Sequence, residues 1–218
     1  MNQENKNNIE YWNKLHAYYE RNDIIKESVG DNWLDRFDEV ILPSRGPAID
    51  LGCGSGNDTY SLISRGKKVI ACDASPNAIA NVERNFPEVM GTCCFDMLDS
   101  FPFYNNSTDL IIADLCLHYF KREDTIKILK EIRRILVNNG NILIRVNSMN
   151  DINHGAGNGK EVERHLYMTE DGRYKRFFDT HDIYDFFNIF DIKYVREDIM
   201  TRYKLEKRLY TIRLRNKK

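Results

Sequence analysis

Short apolar runs alternate with amphipathic stretches from residue 48 onward. Each run is bounded by turn-forming residues and predicts a buried strand. These runs are 48–51, 68–72, 91–95, 110–114 and 141–146. Residues 121–137 place Ile126, Leu129 and Ile132 on one face, which predicts an amphipathic helix. Strands that alternate with helices predict an α/β fold, in which helices cover both faces of a mostly parallel sheet.

The N-terminal segment 9–40 is also predicted to be helical, because its aromatic residues recur at helical spacing. Tyr11, Trp12 and Tyr19 are examples. Aromatic residues in such a pattern usually pack on a core. The alternative is a lid that covers a binding site at the carboxyl edge of the sheet.

The C-terminal third contains a further set of predicted elements. Residues 147–180 are predicted to form a loop and then a hairpin through Asp171-Gly172. Residues 182–190 predict a helix, and 192–203 and 206–215 predict two strands joined by a tight turn. Because loops at the carboxyl ends of parallel strands surround the ligand site, the insertion after the fifth strand is expected to face that site.

The glycine-rich segment after the first predicted strand contains the strongest local signal. Gly52, Gly54 and Gly56 remove Cβ atoms where the chain turns into a helix, an arrangement that binds nucleotide-type ligands. The spacing does not fit Gly-x-Gly-x-x-Gly, and no Gly-Lys-Ser/Thr follows, so the dinucleotide and phosphate-loop motifs are absent. Asp50 and Asp58 flank the loop and would repel a pyrophosphate, whereas they suit a ligand that carries positive charge.

Asp73 ends the second predicted strand, one helix after the glycine loop. A carboxylate at this strand tip can accept hydrogen bonds from both hydroxyls of a ribose, as it does in dinucleotide-binding folds. The alternative is a surface aspartate that caps the following helix, which starts at Ser75-Pro76.

The segment Asp50-Leu51-Gly52-Cys53-Gly54-Ser55-Gly56 resembles the first motif of class I S-adenosylmethionine-dependent methyltransferases. The resemblance implies a one-domain, doubly wound α/β fold: a mostly parallel seven-stranded sheet with a C-terminal antiparallel hairpin. It implies that S-adenosylmethionine is the cofactor and that Asp73 binds its ribose. It also implies that Asp96 and Met97 contact the adenine, and that His118 lies beside the reacting methyl group.

The sequence pattern and the resemblance together predict three groups of site residues. The candidate cofactor-binding residues are Asp50, Gly52, Cys53, Gly54, Gly56, Asp73, Ala74, Asp96, Met97 and Asp114. The candidate catalytic residues are His118 and Asn147. The candidate substrate residues are Tyr11, Trp12, Tyr19, His154 and Arg176. For His118 and for the insertion residues, a purely structural role is the alternative. No metal site is expected, because the five cysteines include no Cys-x-x-Cys pair.

Length and composition narrow the class of protein. The 218 residues fit one domain, with a helical lid (1–45), a cofactor-binding core (46–146), a substrate-side insertion (147–180) and a C-terminal helix and hairpin (181–218). A net charge of −1 argues against extensive wrapping of nucleic acid. No apolar run approaches the roughly 20 residues that span a bilayer. We expect a cytoplasmic monomer or homodimer without a membrane partner.

The expected function is methyl transfer from S-adenosylmethionine to a small-molecule acceptor by in-line displacement. One alternative is an RNA or protein methyltransferase, because residues 193–218 carry ten Lys and Arg against three Asp and Glu. A non-catalytic cofactor-binding module is a second alternative, and an oxidoreductase is a remote third.

Overall fold

The computed structural model describes residues 3–21 and 31–218, which form a central seven-stranded sheet, a smaller sheet and surrounding helices. The helices are α1 Gln3–Arg21, α2 Asp38–Ile41, α3 Asn57–Ser64, α4 Pro76–Asn85, α5 Arg122–Ile135 and α6 Thr180–Phe186. The strands are β1 Ala48–Leu51, β2 Val69–Asp73, β3 Gly91–Cys94, β4 Thr108–Asp114, β5 Leu136–Asn147, β6 Lys160–Glu163, β7 Leu166–Met168, β8 Tyr174–Arg176, β9 Asp191–Met200 and β10 Lys207–Arg215. Among the described residues, no helix combines the length and hydropathy that crossing a bilayer requires.

The strand order of the main sheet is β3-β2-β1-β4-β5-β10-β9. The first five strands are parallel, and β10 runs antiparallel to both β5 and β9. The predicted doubly wound sheet with a C-terminal antiparallel hairpin is therefore confirmed. The order reverses between β1 and β4, and ligands of open α/β sheets bind outside the carboxyl ends of the strands at such a point.

Both faces of the sheet are buried, and β4 shows why. Successive side chains of a strand point to opposite faces. Ile111 accordingly packs in the cluster that contains Ile128 of α5, whereas Leu110 and Ile112 pack in the cluster that contains Trp33. All four aliphatic side chains are fully buried. A sheet covered on both faces gives the loops at its carboxyl edge a rigid base.

The N-terminal helical segment differs from the predicted one in its ends. α1 begins at Gln3 rather than at residue 9, and Trp33–Phe37 form a 3₁₀ helix that leads into α2. The polar first turns of α1 carry no apolar signal in the sequence, but Asn5 and Asn7 find hydrogen-bond partners elsewhere in the fold. The predicted helical residues 22–30 lie outside the described residues.

The junction of α5 and β5 also differs from the prediction. α5 ends at Ile135 and β5 begins directly at Leu136, whereas the sequence predicted a longer helix and a strand that starts at Asn141. The pairing with β4 contains a register shift before Asn141, so the intervening residues form a bulge. Within it, Asn139 adopts a φ of 65°, and its N–H donates to the carbonyl oxygen of Asn216 at 2.9 Å.

The insertion between β5 and α6 contains a separate three-stranded antiparallel sheet of β6, β7 and β8. β7 and β8 form the predicted hairpin, with Leu166 opposite Arg176 and Met168 opposite Tyr174. Gly172 in the connecting turn has a φ of 74°, a conformation that favours glycine. β6 was not predicted from the sequence.

Candidate active site

A cavity of about 490 Å³ lies at the carboxyl edge of the sheet. It is lined by residues that follow β1 to β5, by α1, by the insertion and by the start of β10. Its volume falls within the range of about 300–1,000 Å³ that is usual for sites of small ligands. The cavity is therefore the candidate site for a small ligand.

The glycine loop brings bare main chain to the cavity wall. Gly52 has a φ of 75°, and a Cβ atom on it would lie 2.5 Å from Cβ of Cys116. Gly54 has a φ of 52° and also lines the cavity, as does the predicted Cys53. Gly56 does not line it: a Cβ atom there would lie 2.5 Å from Cε2 of Phe86, so this glycine allows α3 and α4 to pack.

Asp73 stands at the tip of β2 with both carboxylate oxygens fixed by the backbone. Oδ2 accepts from the N–H of Gly54 at 2.9 Å, and Oδ1 accepts from the N–H of Ser75 at 2.8 Å. The predicted Ala74 lines the cavity beside it. Because each oxygen keeps a further lone pair, the carboxylate can accept hydrogen bonds from two more donors in the cavity.

Asp96 follows β3 and is closed off by the N-terminal helix. Its Oδ1 accepts from the N–H of Leu98 at 3.0 Å, and its Oδ2 accepts from Nδ2 of Asn5 at 2.5 Å. Burial raises the pKa of Asp96. Met97 lines the cavity next to it. Asn5 was not predicted as a site residue, because its contact with Asp96 depends on how α1 docks.

The cavity is acidic around the tips of β1 and β4. Asp50 is buried and accepts a hydrogen bond from Oγ1 of Thr59 at 2.5 Å. Burial, followed by the charges of Asp114 and Asp73, raises the pKa of Asp50 to about 7. Placing several carboxylates together in a buried wall stores repulsion that a bound cation would relieve.

One buried arginine balances part of this charge. Arg145, which is 2% exposed, donates to both oxygens of Asp114 at 2.6 and 2.7 Å and to both oxygens of Asp31 at 2.7 and 2.9 Å. Its guanidinium also lies 4.5 Å from the ring centroid of Trp33. Trp33 in turn donates from Nε1 to Asp58 at 2.9 Å. Asp114 is therefore held at the cavity wall with its charge paired.

His118 lies on the 3₁₀ helix Leu117–Tyr119 and lines the cavity, although it is only 2% exposed. Among the described residues, its Nδ1 has no hydrogen-bond partner. Burial, followed by the charges of Lys207, Lys175 and Arg173, lowers the pKa of His118 well below its usual value. The imidazole is therefore neutral near pH 7 and able to accept a proton.

Asn147 is the last residue of β5 and is fully buried while lining the same cavity. Its Nδ2 donates to the carbonyl oxygen of Arg176 at 3.3 Å, which fixes the orientation of the amide. No partner among the described residues reaches its Oδ1. A buried acceptor without a partner is costly, so this oxygen is suited to a donor on a ligand.

The predicted substrate residues divide into two sets. Tyr11, Trp12, Tyr19 and His154 all line the cavity. Arg176 does not: its side chain is 2% exposed and donates to Glu163 at 2.5 Å. The expectation that Arg176 faces the cavity is therefore wrong in position.

α1 lies over the cavity and is held by polar contacts on two sides. Oδ1 of Asn13 accepts from Oγ of Ser75 at 2.9 Å and from the N–H of Asn77 at 3.1 Å. On the other side, Nδ2 of Asn7 donates to the carbonyl oxygen of Gly172 at 3.1 Å. The predicted lid thus lies across the cavity, and it is fastened to both the core and the insertion.

Sequence reasoning missed four further cavity residues that carry positive charge. They are Arg173, Lys175, Arg202 and Lys207. Arg202 and Lys207 belong to the basic C-terminal stretch, which the sequence describes as a mostly solvated face. The sequence contains the charges, but only the fold shows which of them point into the cavity.

Comparison with known proteins agrees with this geometry. Residues 49–144 match a family model described as "Methyltransferase domain". This segment of the chain is similar to a methyltransferase domain. It contains the glycine loop and the acidic residues at the tips of β1, β2 and β4, together with Asp96 after β3.

A related protein matches a somewhat longer segment of the chain. An uncharacterized methyltransferase-like protein of Schizosaccharomyces pombe is 30% identical over 121 residues, which are 55% of this chain and 44% of the relative. The chain thus spans less than half of that relative's length.

Solved structures share the fold over more of the chain. An S-adenosylmethionine-dependent methyltransferase of Anabaena variabilis has a TM-score of 0.69 at 18% identity, covering 98% of this chain and 95% of that one. A 1,6-didemethyltoxoflavin-N1-methyltransferase of Burkholderia thailandensis, solved with 1,6-didemethyltoxoflavin and S-adenosylhomocysteine, has a TM-score of 0.62 at 19% identity, covering 94% and 90%.

Proposed function

We propose that this protein transfers a methyl group from S-adenosylmethionine to a small-molecule acceptor. The observation that carries the proposal is the pairing of bare main chain at Gly52 and Gly54 with fixed carboxylates at Asp73 and Asp96 around one cavity. This pairing suits a nucleoside that has ribose hydroxyls and an adenine amino group as donors and carries a positive charge instead of phosphates.

The cavity residues fit each part of that cofactor. Asp73 would accept from the ribose hydroxyls, and Asp96 would accept from the adenine amino group. The acidic wall at Asp50 and Asp114 would favour the positive charges of the sulfonium and the ammonium group. Gly52 and Gly54 offer main chain to the cavity, and a side chain on Gly52 would collide with Cys116, which lines the same cavity.

When bound, S-adenosylmethionine supplies a methyl group on a sulfonium that departs as a neutral thioether. The protein therefore has no leaving group to protonate, and alignment of the reactants can contribute about 7–11 kcal/mol. His118 accepts the proton of the acceptor at Nδ1, and Asn147 orients the acceptor through Oδ1. Trp12 and Tyr19 on α1 cover the reacting groups and exclude water.

Two observations favour a small acceptor over RNA. α1 and the insertion both contribute to the cavity wall, and the cavity volume of about 490 Å³ suits a small molecule. The cations of the C-terminal strands are also largely paired: Arg213 lies 3.0 Å from Glu39, and Arg196 lies 3.1 Å from Asp198. Salt-dependent binding of a single-stranded RNA oligonucleotide by the purified protein would contradict this part of the proposal.

Calorimetry with S-adenosylmethionine, S-adenosylhomocysteine and NAD tests the cofactor. We expect both sulfur nucleosides to bind and NAD to give no heat. At about a hundredfold excess over its dissociation constant, each nucleoside should stabilise the fold by about 2.7 kcal/mol. Binding of NAD alone would support the oxidoreductase alternative and refute the proposal. Cofactor binding with no methyl transfer to thiol, amine, hydroxyl or oxyanion acceptors would support a non-catalytic module.

A further inference from the structure

The charges that line the cavity are separated by element. The carboxylates Asp50, Asp73 and Asp114 come from the tips of β1, β2 and β4. The basic end, which we define as Arg173, Lys175 and Lys207, comes from the insertion and from the first residue of β10. β10 lies beyond β5 in the sheet, on the opposite side of β1 from β2.

Lys175 differs from the other cations at the basic end because no carboxylate of the described residues pairs with it. Nζ of Lys207 lies 2.9 Å from the fully buried Asp151, and Arg173 lies 2.8 Å from Asp171. Among the described residues, no carboxylate lies within the 4.0 Å of an ion pair with Lys175. Its Nζ donates to the carbonyl oxygen of His154 at 2.6 Å.

The environment of Lys175 is poorly suited to an unpaired charge. The side chain is partly buried, and its Nζ lies 5.2 Å from the ring centroid of Phe177. Burial and the charge of Lys207 lower the pKa of Lys175 to about 8, and the charge of Asp151, which pairs directly with Lys207, only partly opposes them. The ammonium is still mostly protonated at pH 7, and within the described part of the chain only one of its three N–H donors has an acceptor. An anion in the cavity would satisfy both the charge and the donors.

The basic end adjoins the residues that we place at the acceptor. Lys175, Lys207 and Arg173 are the charges that act on His118. β8, which contains Lys175, also provides the carbonyl oxygen of Arg176 that fixes the Asn147 amide. The free Nδ1 of His118 and the free Oδ1 of Asn147 therefore belong to the same end of the cavity as the lysine.

We propose that the methyl acceptor is an organic acid whose carboxylate binds Lys175 while its nucleophilic O–H, N–H or S–H group lies against His118 and Asn147. This inference rests on the proposed function, because it assigns the acceptor class of the same site. The acidic end holds the positively charged cofactor, and the basic end selects an anionic acceptor. The proton of the acceptor passes to Nδ1 of His118 as the methyl group forms its new bond.

Matched acid and amide pairs test the proposal. We would use para-hydroxybenzoate with para-hydroxybenzamide, para-aminobenzoate with para-aminobenzamide, and para-mercaptobenzoate with para-mercaptobenzamide. Binding of each compound is measured by saturation-transfer NMR on the full chain saturated with S-adenosylhomocysteine. Transfer of a radiolabelled methyl group is measured in parallel. We expect the acid of a pair to bind about tenfold or more tightly than its amide, as a charge-assisted hydrogen bond of roughly 1.5–3 kcal/mol requires.

Variants test whether Lys175 causes the preference for the acid over the amide. Lys175→Gln should abolish the preference for the acid and leave the affinity for S-adenosylhomocysteine unchanged, whereas Lys175→Arg should retain it. Lys127→Gln is the matched control, because Lys127 is exposed on α5 and pairs only with Asp124. Acid and amide that bind the wild-type protein equally, or a preference that survives Lys175→Gln, would overturn the proposal. So would a failure of every acid to bind the saturated protein.

The same experiment separates this inference from the proposed function. If S-adenosylhomocysteine does not bind, the proposed function fails, and the acceptor assignment fails with it. If S-adenosylhomocysteine binds while acids show no advantage, only the acceptor assignment fails. The comparison within each pair uses the wild-type protein, so it decides the question even if Lys175→Gln does not fold.

Discussion

Replacing Asp73 with asparagine tests the central assignment of the cofactor site. In the wild-type protein, each carboxylate oxygen already accepts one backbone N–H, from Gly54 or from Ser75, and keeps one further lone pair for a ribose hydroxyl. Asparagine has only one acceptor oxygen. One ribose hydroxyl therefore loses its partner, and the other loses a charged one.

The expected loss follows from this count. A hydrogen bond to a charged group contributes roughly 1.5–3 kcal/mol. Since 1.4 kcal/mol corresponds to about a tenfold change in affinity, Asp73→Asn should weaken cofactor binding by about 10- to 150-fold. The loss should be the same for S-adenosylmethionine and S-adenosylhomocysteine, because both carry the same ribose.

Titration calorimetry with both nucleosides measures this loss directly. Glu88→Gln is the matched control, since Glu88 is exposed and does not line the cavity. In the variant, the side-chain NH₂ group replaces one carboxylate oxygen and therefore faces a backbone N–H donor, which destabilises the fold. Thermal denaturation must first show that the variant is folded at the titration temperature. Affinity within twofold of the wild type would refute the role of Asp73. A loss confined to S-adenosylmethionine would show that the carboxylate acts on the sulfonium.

Three further predictions follow from the site. Burial, with the charges of Asp114 and Asp73, raises the pKa of Asp50 to about 7, so the folded state loses stability as pH rises from the ordinary carboxyl pKa of 3.8 through 7. Asp50→Asn should therefore raise the melting temperature more at pH 8 than at pH 5 in scanning calorimetry, and a pH-independent difference would contradict this reasoning. His118→Gln should lower kcat by about 100-fold or more with cofactor affinity unchanged, and rapid-quench kinetics that show an unaltered transfer rate would exclude a base role. Asn13→Ala removes two hydrogen bonds of about 0.5–1.5 kcal/mol each, so hydrogen exchange in α1 and dissociation of S-adenosylhomocysteine should both accelerate; unchanged rates would show that α1 is held by other contacts.

The proposed cofactor end of the cavity was predictable because each of its residues is marked by the sequence immediately around it. The glycines, Asp50 and Asp73 each lie at the end of a short apolar run, and parallel strands bring their carboxyl ends to one edge. The proximity of these residues can therefore be predicted from the sequence without knowing how the helices pack. Gly56 is the exception, because its contact with Phe86 depends on the packing of α3 against α4.

The proposed acceptor end was harder to predict. It depends on which side chains of β8 face the cavity, and the sequence does not determine this. In β8, Tyr174 and Arg176 are buried on one face, and Lys175 points to the other. The sequence predicts Arg176 as the residue that faces the cavity, whereas Lys175 lines it in the structure. A shift of one residue moves a strand's side chains to the opposite face, so the right segment gave the wrong side chain. Asn5 was missed for a related reason, because nothing near it in the sequence indicates Asp96 as its partner.

The position of α1 has a kinetic consequence. Asn13 fastens it to the start of α4, while Glu4 accepts a hydrogen bond from Tyr174 of the insertion at 3.1 Å. One helix therefore contacts the wall of the proposed cofactor site and the insertion that lines the proposed acceptor site. Under the proposed function, we expect release of the demethylated nucleoside to require movement of α1, and the same movement to open the neighbouring site. The frequency of that single opening would then set an upper limit on turnover.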